Sequence, residues 1–291
     1  MAVFEIESQY LSAKISLIGA ELISLYDKEL QREYIWQGDE QYWSRHAPIL
    51  FPIVGKLNHD RYRVGHRYFN LSQHGFARDR EFELISASSD ELRLRLSWGQ
   101  ESFKVYPFKF ILDVHFKIYG PVLTVNYEVK CPEKRDIFFS IGSHPAFNIP
   151  FSDGRFEDYF LEFEFNEFSG PHYLENDLAD FDQKPNMAVF SGKKLHFTEK
   201  LFEKGALIFK DVKSDKITLK NKINDREIVF DIGEAPYLGI WKPAGAPFVC
   251  VEPWFGVADV VGASDDFLKK EGVIHLDVGE VFKSSYSLHF K

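Results

Sequence analysis

The residues between Phe108 and Val129 constrain the fold more than any other stretch of the chain. Phe108, Phe110, Leu112, Val114, Phe116 and Ile118 recur at every second position, and Leu123, Val125, Tyr127 and Val129 repeat the pattern after Gly120-Pro121. A period of two sends alternate side chains to opposite faces of a strand, so the segment reads as a long antiparallel hairpin. Lys109, Asp113 and Lys117 fill intervening positions, which gives one face to a core and the other to water.

The same rhythm returns along the chain. It runs from Phe4 to Tyr26, at Leu92, Leu94 and Leu96, at Leu207 to Lys210, Ile217 to Leu219 and Ile228 to Ile232, and in the closing strand Val281 to Phe290. Tyr34 to Trp36 reads as a short strand, and Arg61 to Phe69 as a hairpin about Val64-Gly65-His66. Tyr237 to Trp241 and Phe248 to Val251 are almost wholly apolar, which suits central strands covered on both faces. Pro48 and Pro52 keep Arg45 to Lys56 from being helix or central strand, so this apolar loop is expected to pack under something. Gly38 to Trp43 reads as a polar connection, and Asn166 to Lys194 as loop with short elements. Only Ser264 to Gly272 carries a full set of helix signals: an N-cap, an acidic first turn, a basic last turn and a terminal glycine. With no internal repeat and no linker, the expectation is one all-β domain over 1–291, a large antiparallel β-sandwich with very little helix.

Composition narrows the partners. Aromatic residues make up 16% of the chain, 29 of them phenylalanine, which fits half-buried pleated surfaces. A net charge of -9 leaves no basic excess to displace counterions from phosphates, so no nucleic-acid partner is expected. No apolar run approaches the ~20 residues that cross a bilayer, and the first residues lack the pattern of a signal peptide, so the expected setting is the cytoplasm, away from membrane. Cys131 and Cys250 are too few for a disulfide framework and read as reduced and structural. No histidine spacing suggests a metal, and the oligomeric state is not specified by the sequence.

Three short motifs place ionisable groups where regular pairing stops. In Ser143-His144-Pro145-Ala146-Phe147 an apolar run ends in a histidine, and the proline that follows cannot extend a ladder. Gln73-His74-Gly75-Phe76-Ala77-Arg78 puts a second imidazole and a guanidinium in a glycine turn, and Glu252-Pro253-Trp254 ends an apolar strand in a carboxylate. Desolvation there is expected to raise the Glu252 pKa, and an imidazole titrates close enough to neutrality to act as an acid. Read singly, His74 is a turn histidine, Arg78 a surface partner of Glu81 or Glu83, and Trp254, Trp241 and Phe147 core residues. His59, His66, His115 and the remaining histidines read as solvated.

Together and in this order the motifs resemble the aldose 1-epimerases, or galactose mutarotase-like proteins, and most closely their bacterial epimerase-like branch. The likeness spans the Arg45 loop to the final strand and shares features with hexose-6-phosphate mutarotases. It implies a β-supersandwich with an open sugar cleft. It also implies Glu252 as general base, His144 as general acid toward the ring oxygen, and His74 as a second imidazole holding the substrate. Arg78 and Arg45 would bind sugar hydroxyls or a phosphate, so the implied partner is a monosaccharide or sugar phosphate. Such an isomerase needs no cofactor: a base takes the anomeric proton, an acid protonates the ring oxygen, and the opened chain closes from the other face. The two groups are expected on opposite sides of the C1–O5 unit. Galactose-specific members place an aspartate on a later strand, where Gly205 is expected here. A non-catalytic carbohydrate-binding protein with the same cleft is the alternative, and a glycoside hydrolase is disfavoured because only one candidate carboxylate is found.

Overall fold

The hairpin that dominates the sequence forms in register. In the computed structural model, which describes residues 2–132 and 135–291, Ile111–Tyr119 pairs antiparallel with Val122–Lys130, from Ile111 opposite Lys130 to Tyr119 opposite Val122. Leu112, Val114, Phe116 and Ile118 are buried, and each such side chain contributes about 1.5–3 kcal/mol relative to exposure. The other face is a lattice of charges, with Arg95 and Lys130 on Asp113 and with His115 and Lys117 on Glu91.

This hairpin lies within a ten-stranded sheet that continues through Val281–Phe290, Glu227–Asp231 and Lys216–Asn221 on one side and Glu91–Ser97 and Glu83–Ala87 on the other. Opposite it stands a six-stranded sheet in the order Leu207–Lys210, Tyr237–Trp241, Phe248–Phe255, Ile141–Ser143, Ile49–Leu50, with Ala146–Asn148 also paired to Phe248–Phe255. The inner faces share one apolar cluster, and the Tyr127 hydroxyl meets Ser143 Oγ across the gap at 2.8 Å. A four-stranded sheet is built from Val3–Glu7, Leu11–Ser16, Glu21–Asp27 and Arg32–Glu33. All these strand pairings are antiparallel, so the sandwich is as expected, and the Arg61–Val64 and Arg67–Asn70 hairpin turns at Gly65-His66.

Helix is where sequence and structure part. The Ser264 to Gly272 segment forms no α-helix but one 3₁₀ turn, Phe267–Lys269. Its residues are claimed by separate tertiary contacts: Arg63 pairs with both Asp265 and Asp266, Phe267 is buried against Tyr62, and Lys270 is buried on Asp259. In so short a segment these contacts outweigh the capping signals. Phe267→Ala is therefore expected to cost about 3–5 kcal/mol in urea denaturation, and a loss below about 1 kcal/mol would show that the segment is not docked through this ring. The α-helix among the described residues is Gln100–Val105, which the sequence pattern did not single out. The expected strand at Tyr34 to Trp36 falls instead at Arg32–Glu33, with Ile35 making only an isolated bridge to Phe147.

Candidate active site

The six-stranded sheet turns one face to the core and the other to the site, and period two decides which residue goes where. In Phe248–Phe255, Val249 and Val251 join the core, whereas Phe248, Cys250, Glu252 and Trp254 point the other way. In Tyr237–Trp241, Leu238 and Ile240 join the core, leaving Tyr237, Gly239 and Trp241 beside the carboxylate, with Gly239 opposite Glu252. Ile208 of Leu207–Lys210 and Leu50 of Ile49–Leu50 share this face. Glu252 thus stands between an apolar cluster around Trp254 and Tyr237 and an aromatic one of Trp36, Phe248, Trp43 and Trp241.

Two glycines lay the Trp254 indole flat across its neighbours. A Cβ on Gly142 would come within 2.7 Å of Trp254 Cδ1, and one on Gly239 within 2.3 Å of Trp254 Cζ2. Gly142 stands directly opposite Trp254 and Gly239 opposite Glu252, and the ring fills the space that both leave.

His144 follows Ile141–Ser143, held by its own N–H donating to the Pro48 carbonyl, 3.1 Å. Its Nε2 lies 3.2 Å from Glu252 Oε2, with Glu252 only 1% exposed and His144 7%. The two atoms are not aligned as a hydrogen bond, which leaves Glu252 Oε2 buried without a hydrogen-bond partner in the protein, and His144 Nδ1, on the other side of the ring, is buried without one too. Orphaned buried polar atoms are rare and mark places where a ligand can satisfy them. Burial holds the Glu252 carboxyl well above its usual range, opposed only by the nearby Trp254 indole N–H. Burial also pushes His144 down to about 3, helped by the charges of Arg78 and Arg45. The pair therefore favours a protonated carboxyl beside a neutral imidazole, one acid and one base in contact.

His74 closes the site from the second motif. Its φ is +67°, its N–H donates to the Gly55 carbonyl, and its Nδ1 accepts from the Gly55 N–H at 3.1 Å. The ring is neutral, since burial and the neighbouring His144, Arg78 and Arg45 hold its pKa well below the usual value, and its proton accordingly sits on Nε2. Gly75 follows at φ +71°, where a Cβ would collide with the Phe51 carbonyl. The His74 ring packs edge-on to His144 at 5.5 Å. Arg78 donates to the Gln73 carbonyl, and its buried Nε, 3.9 Å from the Asp79 carboxylate, has no hydrogen-bond partner. Arg45 pairs with Asp79 at 2.7 Å. The Arg45 loop is clamped by Glu21, whose carboxylate accepts from the His46 and Ala47 N–H groups.

The structure thus gathers the groups the sequence singled out, with four differences. The carboxylate and imidazole touch, at 3.2 Å, instead of facing each other across a sugar-sized gap on opposite sides of a C1–O5 unit. Arg78 pairs with neither Glu81 nor Glu83 and lies nearest Asp79. Gly205 sits in the turn before Leu207–Lys210, not on the strand, and the side chain that this strand turns to the site is the apolar Ile208. Of the histidines read as solvated, His172 is buried against Phe181 and His115 is half-buried on Glu91. The sequence reading missed Trp43, which stacks on the His144 ring at 4.7 Å, and Cys250. Trp43 lies in an apparently polar stretch, and only its proximity to the aromatic Trp36 hinted at packing.

Comparison with known proteins bears on the same geometry. The aldose 1-epimerase family model matches residues 2–275. The protein LacX of Lactococcus lactis subsp. lactis is 31% identical over 295 residues, covering 98% of each chain. A galactose mutarotase-like protein from Lactobacillus casei superposes with a TM-score of 0.93 at 33% identity, over 100% of both chains. A galactose mutarotase related enzyme from Lactobacillus acidophilus does so with a TM-score of 0.94 at 30% identity, over 100% of this chain and 97% of that one. The sandwich, the order of the motifs and these likenesses agree: the chain belongs to the aldose 1-epimerase family.

Proposed function

We propose that this protein interconverts the α and β anomers of a hexose or hexose phosphate by acid–base ring opening. Glu252 takes the proton of the anomeric hydroxyl and His144 gives one to the ring oxygen. The observation that carries this reading is the buried carboxylate–imidazole contact with an unsatisfied oxygen on one side and an unsatisfied nitrogen on the other. Sugar hydroxyls donating to Glu252 favour the carboxylate–imidazolium form that starts the cycle. Ring opening then leaves a carboxylic acid and a neutral imidazole, the form that burial favours. Closure on the other face reverses both transfers, so no proton is gained or lost. The Nε2–H of His74 hydrogen-bonds the substrate, and Arg45 and Arg78 hold hydroxyls or a phosphate.

Polarimetry of freshly dissolved α-glucose, α-galactose and glucose 6-phosphate tests the proposal. The wild type speeds the approach to anomeric equilibrium, and His144→Ala loses about 10²-fold or more of that rate. A preference for the phosphate that disappears in Arg45→Ala or Arg78→Ala assigns those side chains to it. Sugar binding without acceleration in any sample would replace the enzyme with a carbohydrate-binding protein.

A further inference from the structure

We propose that His144, Cys250 and Glu252 together form a site for a thiophilic divalent cation such as Zn²⁺, and that the bound cation shuts the sugar out. The strand period puts Cys250 and Glu252 two residues apart on one face, and His144 enters beside them from the neighbouring strand. One imidazole nitrogen, one sulfur and one carboxylate oxygen then all lie within 4.8 Å of one another, and all three residues are buried. Zinc bonds of about 2.3 Å to sulfur and about 2.0–2.2 Å to nitrogen and oxygen separate tetrahedral ligand atoms by roughly 3.3–3.7 Å. The nitrogen–oxygen separation is already 3.2 Å, so side-chain movements of about an ångström complete the set.

The donor chemistry is that of a borderline-soft cation: sulfur, imidazole and one carboxylate, with a fourth position left for water. Glu252 Oε2 supplies an independent sign of a ligand, since it is buried with no hydrogen-bond partner in the protein. The surroundings are apolar, with Phe248, Trp43 and Trp241 in the adjoining cluster, so the ion would meet little competing solvent. On binding, the Cys250 thiol and the Glu252 carboxyl each give a proton to solvent as the sulfur–metal and oxygen–metal bonds form, and no electron is transferred. The ion occupies the two groups assigned above to the sugar, so occupancy and turnover exclude each other. The inhibition rests on that assignment, and the binding does not.

The experiment is a Co²⁺ titration of the whole chain followed by absorption, with Zn²⁺ calorimetry beside it. One equivalent of Co²⁺ is expected to give a thiolate-to-cobalt charge-transfer band that Zn²⁺ removes. The band persists in Cys131→Ala and in His275→Ala, which disrupts the exposed Asp136–His275–Asp277 cluster, and is lost in Cys250→Ala and Cys250→Ser. Both Cys250 variants, checked for fold by circular dichroism, bind Zn²⁺ at least about tenfold more weakly. Zn²⁺ slows mutarotation by the wild type at concentrations at least about tenfold below those needed for Cys250→Ser. No charge-transfer band in the wild type, or equal Zn²⁺ affinity in both Cys250 variants, overturns the site. A protein that binds the metals as described but speeds no sugar refutes the proposed function and leaves the cation site standing.

Discussion

Replacing Glu252 with glutamine lowers the rate of anomer interconversion by about 10²–10⁴-fold and, above the ordinary carboxylate range, makes the protein more stable than the wild type. The first effect follows from removing the group proposed to take the anomeric proton while keeping its shape. The second follows from burial. The folded-state pKa of Glu252 is raised, so above the unfolded value of about 4.3 the native protein retains a proton that the unfolded chain releases. Wild-type stability therefore falls by up to about 1.4 kcal/mol for each pH unit between those two values. Glutamine has no such proton to lose. His144 works in the opposite sense: with its pKa pushed down to about 3, it costs stability as pH falls below about 6.5, where the unfolded chain binds a proton that the native one refuses. Urea denaturation of both proteins at pH 5 and pH 8, run beside polarimetry, reads the two effects together. Parallel stability profiles would show that Glu252 is not held protonated. An active Glu252→Gln protein would remove the carboxylate from the chemistry.

Gly239→Ala destabilises the protein by about 1–3 kcal/mol, and it does so through one ring. The added methyl would come within 2.3 Å of Trp254 Cζ2, and the indole already lies against Gly142 on its other side and cannot slide away. Because Trp254 is two residues from Glu252 on the same face, the displaced indole also disturbs the carboxylate, and mutarotation falls with stability. A double-mutant cycle separates this clash from any general intolerance of the strand. Trp254→Ala alone costs about 3–5 kcal/mol for the emptied space. In that background Gly239→Ala costs little, giving a favourable coupling of about 1 kcal/mol or more by chemical denaturation. Strictly additive costs would mean that the indole does not need the glycine.

Much of this arrangement was legible before any coordinates, and the reason is periodicity. Alternation at Phe108 to Val129 fixed the long hairpin, and the unbroken apolar runs at Tyr237 and Phe248 identified strands buried on both faces. His144 and His74 stand out because each interrupts a regular pattern at a proline or glycine, which is local information; Glu252 stands out ahead of Pro253, although its strand runs on to Phe255. What stayed hidden depends on distant partners. Trp43 stacks on a histidine 101 positions later, a pairing no local pattern encodes. Cys250 looked like one more apolar strand residue until the register set it beside His144. The Ser264 segment had the chemistry of a helix, but Arg63, Tyr62 and Asp259 each took hold of a different residue in it.

Glu21 ties the N-terminal strands to the loop that carries Arg45. Its carboxylate fastens the backbone just after Arg45, so the Glu21–Asp27 strand acts as a splint for that loop. Ile6, Leu11, Ala13, Ile15, Leu22 and Leu25 belong to the same apolar cluster as both sheets, so trimming the chain from its beginning would open that core as well as slacken the loop. The hold proposed for Arg45 is thus secured in part by a strand that belongs to neither of the two facing sheets.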